Sequence, residues 1–467
     1  MRDGNGGRTQ ARAAGIFLAA AKRMTALAAT VALLLAAAPS GDAPPAPTET
    51  IPPSLRGMPR TTSMTLPEAL AELDRQNPTL EEARARAAAA LGVVKQASAP
   101  LLPNLVAGGG FFHNNASVII TAPQGGGLER IYIQPLDAWQ ASAGLRVPLI
   151  VPEAWFSVSA ARDSALAAAE ASDATRLTVR TALLQAAWTA WAGDEVVAAS
   201  ERAVASARSQ AESAGRLLKA GTATSLSVLQ AETSATRRES DLVAARSERS
   251  RARIAVGVLL GRSEPVTITM PPLPAATVQD VQDLFREALE SRPELRAQAA
   301  VVRSYEKQKS AALWRLAPQV SASGGAQAQT VPFPTGDQAG WRVSVDLTWT
   351  LYDGGYRYGK ADQASAQASE ARAAETGTRL QILQEVQNAA RDVEVARERL
   401  RLARQERETA TAAAASARRG FGEGLTSSLD VLAANDILFS SEIQVALSSA
   451  RLGGSLAALD RAVGRSP

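Results

Sequence analysis

The chain has no cysteine and a single histidine, His113, in 467 residues. The first absence excludes disulfides, cysteine zinc sites, thiol nucleophiles and a lipidated N-terminal cysteine; the second excludes a multi-histidine metal centre. Aromatic residues make up 4% of the chain, thin for a globular core of this size. There is no P-loop, no zincin motif and no histidine beside a candidate serine, so no catalytic residue and no cofactor is assigned. Pairs such as Glu385 and Asp392 read as the solvated face of a helix. Past the first forty residues no run approaches the roughly 18 apolar residues of a transmembrane helix.

A neutral mature chain is expected as well. Formal net charge is +4, and Arg2, Arg8, Arg12, Lys22 and Arg23 against Asp3 account for all of it. These residues precede the apolar stretch MTALAATVALLLAAA (24–38) and the small residues PSGDA, which together read as a secretory signal peptide over 1–40 rather than an N-terminal anchor helix. A pI near 9.5 is therefore no argument for nucleic acid. A Pro-rich linker is expected over 41–63.

What is present is a duplication. QNPTLEEARARAAAALGVVKQASAPLLPNLVAGGG aligns without a gap with SRPELRAQAAVVRSYEKQKSAALWRLAPQVSASGG, bringing Pro78 onto Pro293 and Gly110 onto Gly325. WQASAGLRVPL aligns with WRVSVDLTWTL, AGTATSLSVLQA with GEGLTSSLDVLAA, and LLGRSEP with AVGRSP. The expected units are 64–275 and 276–467, each a helix, a strand pair (about 104–150 and 318–352), a very long helix, a turn and a helix. The long helices are expected over about 153–219 and 355–419, the first without a proline.

Two periodicities coexist. Ile382, Val386, Ala389, Val393, Ala396, Leu400 and Ala403 step by four and three, a coiled-coil seam that a helical rod would also show. Trp139–Leu149 and Trp341–Leu351 instead alternate apolar and polar residues over about eleven positions, the length and two-sidedness of a transmembrane β-strand. Trp139, Trp341, Trp349 and Tyr352 sit towards the strand ends as an aromatic girdle. Four such strands cannot close a barrel alone, so closure requires several chains.

In this order and twice over, TLPEALAELDRQNPTL, LLPNLVAGGG, TLYDGG, KAGTATSLSVLQAE and GEGLTSSLDVL resemble the outer-membrane efflux protein family, the TolC-like channels. The resemblance covers roughly Met64 to the end. It implies a mainly α fold with membrane β: a tandem-duplicated protomer of a homotrimer, four transmembrane strands per chain in a twelve-stranded barrel, and long helices forming a periplasmic α-barrel. The implied function is the exit duct of a tripartite efflux pump or a type I secretion system, reached through a periplasmic adaptor and an inner-membrane pump and embedded in outer-membrane lipid. The alternative is a coiled-coil adaptor or structural rod, which should lack two amphipathic strand pairs.

The resemblance also assigns positions. Gly354 and Gly355 form the strand-to-helix transition of the second unit. The first unit departs from the pattern, with Pro152 in their place. Adaptor-docking tips map onto Gly221, Thr222, Ser225, Leu226, Val228 and Leu229, and onto Gly424, Leu425, Ser428, Val431 and Leu432. Asp430, with Leu429 beside it, maps onto the periplasmic gate. Plain helix-start charge is the competing reading of Asp430, favoured by the macrodipole. His113 is placed at the outer end of the first hairpin, exposed and without chemistry.

Overall fold

The computed structural model describes residues 62–124, 127–221, 223–273, 280–331, 337–423 and 425–466; the signal peptide and nearly all of the Pro-rich linker lie outside them. In chain order the elements are β1 (Thr62–Thr65), α1 (Leu66–Gln76), α2 (Pro78–Ser98), β2 (Asn104–His113), β3 (Val118–Gln124), β4 (Gly127–Gln134), β5 (Asp137–Ile150), α3 (Pro152–Lys219) and α4 (Ser225–Leu259). They continue as β6 (Val266–Thr269), α5 (Val281–Ser291), α6 (Pro293–Trp314), β7 (Gln319–Gln329), β8 (Ala339–Thr348), α7 (Tyr356–Gly422) and α8 (Ser428–Val463).

Local chemistry explains the breaks. The single helix expected at the start of the first unit is two helices, because Pro78 opens α2 at a position where its missing N–H costs nothing, while Asn77 caps it by accepting from the Leu80 N–H at 3.1 Å. Pro293 opens α6 in the same way. With 68 residues, α3 extends about 100 Å at about 1.5 Å per residue, and α7 is nearly as long.

Beta structure is richer than the sequence suggests. β2, β5, β7 and β8 form one antiparallel sheet in that order. Inside the first hairpin, β3 and β4 form a second, two-stranded ribbon. β1 pairs in parallel with β6, so the strand begins within the stretch read as linker. β8 also ends earlier than expected, at Thr348. Trp349 leaves the ladder to donate its indole N–H to the Leu316 carbonyl at 3.1 Å, and Arg357 ties down the next turn through the Thr350 carbonyl and Asp353.

Three apolar clusters hold the helices. One gathers β1, α1, α2, α3, α4 and β6 around Leu73, Leu183, Val256, Leu260 and Val266. The second packs α5 and α6 against Ile382 and Val386 of α7 and Val463 of α8. The third joins Val393, Ala396 and Leu400 of α7 to Leu452 of α8. All seven residues of the expected seam on α7 are buried. Glu385, expected on a solvated face, instead receives a 2.7 Å hydrogen bond from Arg292, whose side chain is 2% exposed.

The duplication is visible in its closures. Gly261 and Gly464 both take positive φ, 77° and 89°. A Cβ on Gly261 would overlap the Gln76 carbonyl, and one on Gly464 would press on the Ser291–Arg292 peptide. Beside each glycine an arginine grips a glutamate with two hydrogen bonds: Arg262 with Glu72, and Arg465 with Glu287 at 2.7 and 2.6 Å.

Candidate functional site: a two-faced sheet and two helical tips

The register of the large sheet sorts its side chains into two faces. On one face Leu105, Phe111, Trp139, Leu145, Val320, Trp341, Val343, Val345 and Leu347 fall into matching rows with alanines and Gly324. Trp341, Val343, Val345 and Leu347 are each at least 67% exposed, where a water-soluble sheet would cover them. The other face carries Asn104, Gln140, Ser142, Arg146, Ser321, Ser323, Gln327, Arg342, Ser344, Asp346 and Thr348. Both edges, β2 and β8, lack a partner strand within the described residues. Such open edges template pairing with another chain.

Aromatic residues mark both ends. Trp139 opposes Phe111 at the start of β5, and Trp341 lies at the corresponding end of β8. Trp349 and Tyr352, the latter 81% exposed, lie beyond the far end of β8. His113 is level with Asp137 at the outer end of the neighbouring strand, its Nδ1 2.7 Å from Asp137 Oδ1, and both side chains are exposed.

The two strand-to-helix transitions use opposite devices. Gly354 and Gly355 have φ of 70° and 90°, and Gly355 is the N-cap of α7; a left-handed backbone there favours glycine over any residue with a Cβ. In the first unit Pro152 begins α3 after Val151 at φ −135°, which needs no positive φ at all.

At the far ends of the long helices are the two tips. Gly221, φ 78°, donates its N–H to the Leu218 carbonyl, and Thr224 caps α4 through the Ser227 N–H at 3.2 Å. Ser225 opens α4, with Leu226 and Leu229 exposed and Val228 half-buried. In the second tip, Leu425 N–H reaches the Gly420 carbonyl at 2.7 Å. A Cβ on Gly420 would crowd the Thr426 side chain. Leu425 and Leu429 are exposed, Ser428 and Leu432 half-buried and Val431 buried. Thr222 and Gly424 lie outside the described residues.

Asp430 is a capping residue. Its Oδ2 accepts from the Ser427 hydroxyl at 2.7 Å and the Ser427 N–H at 2.9 Å, while its own N–H donates to Ser427 Oγ at 3.2 Å. This is a reciprocal capping box. The same two bonds, the hydroxyl first, hold its carboxyl below the ordinary aspartate range.

A feature that sequence reasoning missed sits just above the tips. Arg238 of α4 ion-pairs with Asp436 of α8 and with Asp241, and lies 4.5 Å above the Phe439 ring. Arg202 of α3 binds Glu442 of α8 at 2.9 Å. Arg202, Arg238, Asp436, Phe439 and Glu442 border a cavity of about 400 Å³ between the first unit's helical hairpin and α8. On a single sequence each of them is one more charge on a helix face.

Comparison with known proteins places this architecture. The model of the outer membrane efflux protein family matches residues 69–262 and again 284–465. No curated protein sequence matches the chain significantly. Among solved structures, the outer membrane protein VceC of Vibrio cholerae superposes with a TM-score of 0.71 at 21% identity, over 86% of this chain and 96% of that one. The CmeC outer membrane channel of Campylobacter jejuni gives 0.73 at 15% identity, with 85% of each chain covered. CusC, described with conformational changes of folding and transmembrane channel formation, gives 0.73 at 16% identity, over 88% of this chain and 94% of that one. A family match on both halves, joined to a TolC-like channel fold and a sheet with one greasy and one polar face, means that this chain belongs to the outer membrane efflux protein family, an efflux channel of the outer membrane reaching into the periplasm.

Proposed function

We propose that the protein is the passive exit duct of a tripartite efflux pump, assembled as a homotrimer. The observation that carries this reading is the four-stranded sheet with an apolar face, a polar face and two open edges. Pairing β8 of one copy with β2 of the next removes every edge, and three copies of four strands make a twelve-stranded barrel of the kind a bilayer accepts. The units 64–275 and 276–467 then supply equivalent halves of the wall, with the helices continuing the tunnel through the periplasm. Trp139, Trp341, Trp349 and Tyr352 mark the two membrane interfaces. A type I secretion system uses the same conduit, and choice of cargo falls to the inner-membrane pump.

The exposed leucines of the tips, Leu226, Leu229, Leu425 and Leu429, together with Gly221, Thr222, Ser225, Val228, Gly424, Ser428, Val431 and Leu432, form the surface on which hairpins of a periplasmic adaptor dock. Asp430 and Leu429 form the gate: three Asp430 carboxylates around a threefold axis attract cations. The capping box accounts for Asp430 without a gate, so conductance decides. In planar bilayers the purified protein is expected to show a small cation-selective conductance that Asp430→Ala weakens and periplasmic-side divalent cations block. A conductance indifferent to Asp430→Ala moves the gate elsewhere. A soluble monomer that never inserts overturns the duct.

A further inference from the structure

The polar face of the large sheet is mostly uncharged. Within the four strands its charged side chains are Arg146 on β5 and Arg342 and Asp346 on β8. Cross-strand register sets Arg146 level with Ser323 and Ser344, and Arg342 level with Gly325 and Gly144. The two arginines therefore occupy adjacent rows on either side of β7. Between Arg342 and Val106 of β2 that row is floored by Gly325 and Gly144; around Gly144 even the space a Cβ would fill is open.

The single carboxylate on this face is already engaged. Asp346 Oδ2 accepts from Ser323 Oγ at 3.1 Å and from Ser344 Oγ at 3.0 Å, and Ser323 and Ser344 are themselves joined at 2.7 Å. Arg146 has a long hydrogen bond to Ser321 Oγ, 3.3 Å. Among the described residues neither Arg146 nor Arg342 has a carboxylate at ion-pair distance. Guanidinium donors in a planar fork match the geometry of carboxylate and phosphate oxygens. Two of them, unneutralised and flanking a bare floor, present donors to whatever passes.

We infer that Arg146 and Arg342 form an anion-selecting station on the lumen wall of the barrel, where carboxylate or phosphate groups of a passing solute dwell. The inference deepens the duct reading and rests on the polar face being its lumen. With three copies the station carries six arginines against three aspartates, a net positive belt opposite in sign to the Asp430 ring. Its field reaches into the pore over about 10 Å at 0.1 M salt and further at lower salt.

Reversal potentials of the full-length protein in a KCl gradient test it, comparing wild type with the double variant Arg146→Gln/Arg342→Gln in the Asp430→Ala background, which removes the opposing ring. The chloride-over-potassium permeability ratio is expected to fall by about twofold to threefold at low salt, to shrink less at 1 M salt, and to be retained by Arg146→Lys/Arg342→Lys. An unchanged ratio in a conducting channel overturns the station and leaves the duct standing. Should no current flow, the duct as an open conduit fails this assay, and calorimetric binding of inorganic phosphate to the detergent-solubilised protein decides the station independently. Binding heat lost in the glutamine variant sustains it; heat absent from the wild type, or equal in both, overturns it. Heat-modifiable gel mobility of each variant verifies the barrel.

Discussion

The two halves of the chain agree where backbone geometry is demanding and differ where each half meets a different neighbour. Gly261 and Gly464 keep the left-handed turn that lets the helix end lie against the preceding helical corner, and Glu72–Arg262 and Glu287–Arg465 clamp the same corner. One residue further on the chemistry parts. The position before Pro78 is Asn77, whose side chain caps α2 and donates to the Leu259 carbonyl at 2.7 Å. The position before Pro293 is Arg292, buried and turned towards Glu385 and Glu294. The difference shows that duplication preserves what a turn requires of the main chain, while side chains are free to specialise once the main chain is held.

The comparison breaks most sharply at that pair. Arg292→Met leaves the half-buried carboxylates of Glu385 and Glu294 without their partner, and because both keep solvent access the loss is expected below that of a fully buried pair, at about 2–3 kcal/mol. Asn77→Ala loses a cap and one further bond, about 1–2 kcal/mol. Thermal melting of the detergent-solubilised protein should order the two variants so. Equal shifts would mean that Arg292 is merely a space-filler.

A smaller effect concerns a contact the duplication does not repeat. Gly453 of α8 lies directly against the indole of Trp188 on α3, where any Cβ would overlap the ring. The aligned positions in the other half are Ser250 and Arg391. Gly453→Ala should therefore cost about 2 kcal/mol by overpacking, while Ser250→Ala stays within about 0.5 kcal/mol. The melting temperatures of the two variants measure this directly.

The smallest expected effect is a difference in acid sensitivity. Asp74 accepts from Arg176 at 2.9 and 2.5 Å and also from Arg180. These partners, Arg176 foremost, hold its carboxyl far below the usual 3.8. The aligned position in the second half is Leu289. Since the folded-state pKa is depressed, this contribution is fully present above about pH 4 and is lost as pH falls below it. Asp74→Asn should lower stability at pH 7 by roughly 1 kcal/mol and flatten the acid limb of a melting-temperature profile. An acid limb as steep as that of the wild type would assign it to other carboxylates, among them Glu287, which Arg465 holds low in the same sense.

Much of this architecture was legible because its signals are local and repeated. Alternation along 139–149 and 341–347, the seam on α7 and the glycines and prolines at element ends each arise from neighbours within a few residues. The parallel pairing of β1 with β6 was not legible: each strand has four residues, and the partners stand some two hundred positions apart. The β3–β4 ribbon was hidden by Pro123, Pro135 and the glycines at 125–127, which read as loop although proline is tolerated at the rim of a sheet. At the tips, exposed leucines stood out by position, whereas Arg238 with Asp436 becomes visible only when α4 and α8 are laid side by side.

The strand order carries a consequence for how the protein is made. β5 pairs along its length with β7, and Trp139 and Thr330 exchange hydrogen bonds across 191 positions. A chain delivered N-terminus first thus presents the β2–β5 hairpin with the second edge of β5 open until α3, α4, α5, α6 and β7 have all emerged. Such delayed closure favours a slow, late maturation and a long interval in which a sticky edge needs shelter. Completion of the sheet is the act of the last third of the polypeptide, so quality control over this protein has to wait for its C-terminal half.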